Sequence, residues 1–146
     1  MIQPRLVLVM ADDSDPDVAL FRIALKKSDL SAVLFIVKDG EELLLFLKKE
    51  PPFETALTPN LIFLDIAMPN MNGIEALKQI KQDRSLAIIP VVMLTNSNRE
   101  EDVLSSYEYH ANSYIVKPGS VDIYKEVIDS ISEYWFSTAR LPGKLE

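Results

Sequence analysis

Short apolar runs alternate with amphipathic segments along the chain, and each run ends in a polar cluster. The runs are Arg5–Ala11, Ala32–Val37, Asn60–Asp65, Pro90–Thr95 and Ser113–Lys117, whose length and β-branched content predict strands. Several are apolar throughout, the pattern of a parallel sheet covered on both faces. Between them Leu20, Phe21, Ala24 and Leu25, then Leu43, Leu44, Phe46 and Leu47, then Ile74, Leu77 and Ile80 recur at helical spacing. The last segment, Val121 to Phe136, puts Tyr124, Val127, Ile128, Ile131 and Trp135 on one stripe and is predicted to be the longest helix. Phe136 lies about 100° around that helix from Trp135, so one of the two is expected to be partly exposed.

Punctuation supports these boundaries. Asp15-Pro16 reads as an N-cap followed by proline at the first helical position. Pro69-Asn70-Met71-Asn72 before Gly73 is a turn cluster that delays the helix after the third strand. Residues 50–59 hold three prolines and no period, the mark of an extended surface connection. No composition break divides the chain, so one domain over 1–137 is expected, with a tail over 138–146 and no output domain.

Composition narrows the function. The net charge is −7, without the clustered Lys and Arg that phosphate-backbone contact needs, which argues against nucleic acid. There are no cysteines and one histidine, His110, so thiolate metal sites and Cys nucleophiles are out, and His110 reads as a surface or hinge residue. No apolar stretch approaches the roughly 20 residues of a membrane helix, and nothing resembles a signal peptide, so a soluble cytoplasmic protein is expected.

Alternating strands and helices give an α/β fold, doubly wound with right-handed crossovers, whose ligand crevice lies at the carboxyl ends of the strands. Those ends carry Asp12-Asp13, Asp65, Thr95-Asn96-Ser97 and Lys117-Pro118. Converging carboxylates repel unless a cation or a proton is held between them. Oxygen ligands favour magnesium or calcium, and an ammonium with a hydroxyl opposite suits the oxygens of a phosphoryl group in transfer. Each residue alone has an ordinary explanation as a cap or a solvated loop side chain. Asp13 to Asp17 even imitates an EF-hand start, but Val18 and Ala24 stand where that loop needs glycine and glutamate. What carries the reading is that every type falls at its strand end in order.

These residues resemble the receiver domain of two-component response regulators. The likeness rests on Asp12-Asp13 after an apolar run, Leu61 to Gly73 around Asp65, Pro90 to Thr95, and Tyr114-Ile115-Val116-Lys117-Pro118. It implies a flavodoxin-like (βα)5 domain with a five-stranded parallel sheet in the order 2-1-3-4-5 and helices on both faces. By resemblance Asp65 is the phosphoacceptor, Asp13 binds magnesium directly, Asp12 binds it largely through water, and the Ala67 carbonyl is a further ligand. Thr95 and Lys117 would take phosphoryl oxygens, Tyr114 would be the aromatic switch that follows Thr95, and the peptide before Pro118 would be cis. A finer likeness links the chain to small single-domain regulators paired with cyanobacterial phytochrome-type histidine kinases. It rests on Ser106 to Tyr114, the proline-bearing connection, Tyr134-Trp135-Phe136 and Leu141-Pro142.

The resemblance implies a switch and not a turnover enzyme. Asp65 would accept phosphate from a kinase phosphohistidine, and Lys117 would offset an added charge of about −1.5 to −2. The face formed by helix 4, strand 5 and helix 5 would be the output surface, with Tyr107, Tyr109 and Tyr134 as an aromatic patch for a partner or a second copy. Ala67 and Ser97, two residues past Asp65 and Thr95, offer no base for activating water, so slow self-dephosphorylation is expected. A phosphorylation-independent interaction module is the alternative. A phosphohydrolase would want an acid where Ala67 stands, and a transcription factor would need an output domain.

Overall fold

The computed structural model describes residues 6–142. The expected start of the first strand at Arg5 and the tail residues 143–146 lie outside the described residues. Five parallel strands, β1 (Leu6–Ala11), β2 (Ala32–Val37), β3 (Leu61–Leu64), β4 (Val91–Thr95) and β5 (Ser113–Val116), form one sheet in the order β2-β1-β3-β4-β5. The helices are α1 (Asp15–Lys27), α2 (Gly40–Lys48), α3 (Gly73–Gln82), α4 (Glu100–Glu108) and α5 (Val121–Glu133). This is the flavodoxin-like arrangement, each strand feeding a helix that returns over the sheet.

Alternate residues of the central strands serve two separate cores. Val9, Ala11, Ile62, Leu64, Val91 and Met93 meet Leu43, Leu47, Leu77 and Ile80 of α2 and α3. On the opposite face Leu8, Met10, Leu61, Phe63, Val92 and Leu94 meet Val18, Phe21, Tyr124 and Ile128 of α1 and α5. A strand with helices on both sides has no polar face, which is why β1, β3 and β4 read as unbroken apolar runs.

At the end of the sheet away from those helix-forming turns, two asparagines extend the ladder. Asn60 donates its N–H to the Val7 carbonyl at 2.8 Å and accepts the Val7 N–H on Oδ1, also at 2.8 Å. Asn112 repeats the device with Val91, at 2.8 and 2.9 Å.

Three local expectations need correction. The N-cap of α1 is Ser14, whose hydroxyl accepts the Asp17 N–H at 3.3 Å, so the helix begins one residue earlier and Asp15 is free to pair with Lys38. The peptide before Pro118 is trans, and Lys117 reaches the crevice in that form; the cis bond among the described residues is Pro51–Pro52. Helix α5 has 13 residues, the same as α1, and then widens into a π turn over Tyr134–Thr138, closed by the Ala139 N–H on the Tyr134 carbonyl. That wider turn brings both Trp135 and Phe136 against the α1–α5 core, each half-buried. The exposed member of the group is Tyr134. His110 is exposed with φ 73°, the left-handed residue that ends α4. No helix among the described residues is long and apolar enough to cross a membrane.

Candidate functional site

Each strand end delivers its polar residue to one crevice. Asp12 is the first residue past β1 and is fully buried, held by an N–H bond to the Val37 carbonyl at 3.0 Å, and its Oδ1 accepts the Ser14 N–H at 2.9 Å. Asp13 is exposed at the mouth. Asp65 follows β3, nearly buried, its Oδ1 accepting the Ile66 N–H at 2.7 Å. Thr95 closes β4, and Lys117 follows β5, continuing the ladder through its N–H to the Thr95 carbonyl at 2.7 Å. Residues 13, 14, 17, 65–67, 95–99, 102 and 117 line a cavity of about 630 Å³.

The loop after Asp65 is fixed by two close approaches. A Cβ on Gly73 would sit 2.0 Å from the Asp65 carbonyl oxygen, so this position admits only glycine. A Cβ on Gly40 would lie 2.7 Å from the Met71 carbonyl oxygen, which instead accepts the Gly40 N–H at 3.0 Å. Asn70, at φ 64°, donates to Asp39 Oδ2 at 2.7 Å, while Asp39 Oδ1 caps α2 through the Glu42 N–H. The loop carrying Ala67 is thus tied to α2 and α3, and Ala67 itself is exposed at the cavity.

Lys117 is the electrostatic centre. Its side chain is 3% exposed, and Nζ lies 2.8 Å from Asp12 Oδ2, 2.7 Å from Asp17 Oδ2 and 3.0 Å from Asp65 Oδ2. Burial alone would lower the ammonium, but its close pairing with the Asp12, Asp17 and Asp65 carboxylates holds it above the usual lysine value. Burial raises the Asp12 carboxyl above its ordinary value, against the pull of Lys117 and of the Ser14 N–H. Asp17 behaves oppositely: its desolvation is outweighed by Lys117, Ser14 and Asn96, and its carboxyl sits low. From the sequence alone, Asp17 belongs only to a failed EF-hand start and Asn96 only to the strand end beside Thr95, neither with a role in the site. The available signal was a carboxylate in the first turn of a helix that starts at the crevice.

The proposed switch pair shares a neighbour. Thr95 Oγ1 accepts the Ser97 N–H at 3.4 Å, and the half-buried Tyr114 donates its hydroxyl to the Ser97 carbonyl at 2.8 Å. The Ser97 hydroxyl in turn donates to Asp102 Oδ2 at 2.6 Å. Burial raises the Tyr114 phenol, so it stays a donor at neutral pH.

The donor set fits a hard cation. Asp12, Asp13 and Asp65 each offer an oxygen within 4.8 Å of the others, and the buried Asp12 Oδ2 makes no aligned hydrogen bond and is met only by the ion pair with Lys117 at 2.8 Å, an anionic site that a cation would satisfy.

A family model described as the response regulator receiver domain matches residues 7–129. The chain belongs to that family. This receiver domain is 37% identical to the response regulator Rcp1 of Synechocystis sp. over 140 residues, 96% of this chain and 95% of that protein. The solved manganese-bound form of Rcp1 superposes with a TM-score of 0.85 at 37% identity, covering 94% of this chain and 99% of the other. The phosphorylated cyanobacterial phytochrome response regulator RcpA gives 0.88 at 35% identity, covering 95% and 99%. The receiver domain is therefore related to phytochrome response regulators.

Proposed function

We propose that this receiver domain is a phosphorylation switch whose phosphoacceptor is Asp65. The observation that carries the reading is the convergence of three carboxylates on the buried Lys117 ammonium, one of them Asp65 beside two further candidate metal ligands. Asp65 attacks the phosphorus of a histidine kinase phosphohistidine; the P–N bond breaks, the imidazole leaves, and an acyl phosphate forms on the carboxylate. Asp12, Asp13, Asp65 and the Ala67 carbonyl would hold magnesium, which supplies charge neutralisation for the phosphoryl oxygens. Lys117 and Thr95 take the remaining oxygens. Movement of Thr95 toward the phosphoryl disturbs its contact with Ser97, and Tyr114 is bonded to the same residue, which supports Tyr114 as the switch.

The manganese in Rcp1 and the phosphorylation of RcpA support the cation and the chemistry. The same kinship supports a phytochrome-type kinase as the donor, with the switch working in the cytoplasm by protein contact. Leu104, Tyr107, Val116 and Ile123, all exposed, come from α4, β5 and α5, which supports that face as the contact surface, for a target or for a second copy. Tyr109 is drawn off toward α3, with Lys78 Nζ 4.4 Å from its ring centroid.

Intact-mass spectrometry after incubation with magnesium and a small-molecule phosphodonor tests the assignment. One added phosphoryl is expected, lost in Asp65→Asn and with EDTA; labelling that persists in Asp65→Asn overturns it.

A further inference from the structure

We propose that Asp17 is a positioning residue for Lys117: the carboxylate that keeps the ammonium at the crevice when a cation takes the other two. This deepens the reading of Asp12, Asp13 and Asp65 as cation ligands and rests on it. Lys117 donates hydrogen bonds to Asp17 and Asp65 and pairs with Asp12 Oδ2 at 2.8 Å, so three carboxylates share one ammonium. Asp12 and Asp65 belong to the cluster whose oxygens lie within 4.8 Å of each other; Asp17 does not. A divalent cation in that cluster competes with the ammonium for the same two carboxylates and repels it.

Asp17 is built to hold what is displaced. Its backbone N–H is fixed on the Ser14 hydroxyl in the first turn of α1, and it lines the same cavity as Asn96 in the loop after β4. Its side chain is 29% exposed, at the rim, where Lys117 can remain within reach of an oxygen placed on Asp65. Without Asp17 the lysine has only the ligands of the cation to bind, and the two cations contend directly.

The test is Mn²⁺ binding to the full chain, measured by calorimetry, with thermal melts to confirm folding. Asp17→Asn should weaken Mn²⁺ binding on the order of tenfold, a coupling within the range of contacting residues. Asp17→Glu should restore most of the affinity. Asp15→Asn, the same charge change in the same turn on a side chain paired with Lys38, should alter it by less than about twofold. In a Lys117→Ala background, Asp17→Asn should cost no more than Asp15→Asn does. Wild-type affinity in Asp17→Asn overturns the proposal, as does a tenfold loss that persists in the Lys117→Ala background, because the carboxylate would then act on the ion directly. A wild-type chain that binds no Mn²⁺ overturns the underlying ligand assignment, and this inference with it.

Discussion

Asp12 carries a charge that the folded chain holds at a cost, since burial raises its carboxyl above the value it has when unfolded. Below about pH 3.9 it is protonated in both states; as the pH rises through its folded value, the native state must give up a proton it favours, and stability falls. Asp12→Asn removes that loss. The variant should match the wild type near pH 3 and exceed it increasingly toward pH 7, by about 2–4 °C in melting temperature for each kcal/mol relieved. Magnesium should raise the melting temperature of the wild type more than that of the variant, which keeps Asp13 and Asp65 but loses one of the three carboxylates. Urea melts across that range check the sign: a difference that shrinks with rising pH would refute the assignment. Nearby, the Ser97 hydroxyl is committed to Asp102 and Ala67 has no polar side chain, so neither orients an attacking water. The aspartyl phosphate should persist for hours, followed by mass spectrometry after donor removal with magnesium present. A half-life of minutes or less would contradict this. The strand-end residues were legible in the sequence because each follows an apolar run. Asp17 was not, because a helix-start aspartate has the same local sequence whether it caps a helix or grips a lysine 100 positions away.

Among the elements, the β3–α3 connection is the least forgiving. Gly73→Ala would drive a methyl group into the Asp65 backbone and should cost about 3–5 kcal/mol or prevent folding, whereas Gly119→Ala, with nothing within 4 Å of the added carbon, should be neutral. Urea midpoints of the two variants decide; a near-wild-type Gly73→Ala would mean that the loop can shift. Strands and helices were readable because each strand is short and apolar and each helix keeps its stripe. The misreadings were local. Asp15 and Ser14 are both good caps, and only the Ser14–Asp17 bond selects between them. The π turn was hidden because an ordinary helical wheel places Trp135 and Phe136 on different faces, and it is tertiary packing that recruits both.

For the molecule as a whole, the doubly wound topology puts chemistry at one end of the sheet and exposed apolar side chains on the α4–β5–α5 side. If that side pairs two copies when Asp65 is phosphorylated, light scattering should show the 16.5 kDa chain doubling in mass on phosphorylation, and Leu104→Asp should return it to monomer. A monomer in both states would assign the face to another protein. The partner was beyond the sequence because exposure is a tertiary fact: Tyr107 and Tyr109 look alike along the chain, yet Tyr109 lies under Lys78. The paired amides of Asn60 and Asn112 bear on a different question. They fix strand register from the end opposite the acidic cluster, about 13–20 Å away along strands of four to six residues. Alignment of the scaffold is therefore set where no chemistry happens. Exposed side chains at the mouth of the crevice, such as Asp13 and Ala67, can change without shifting the register of the frame that aims them.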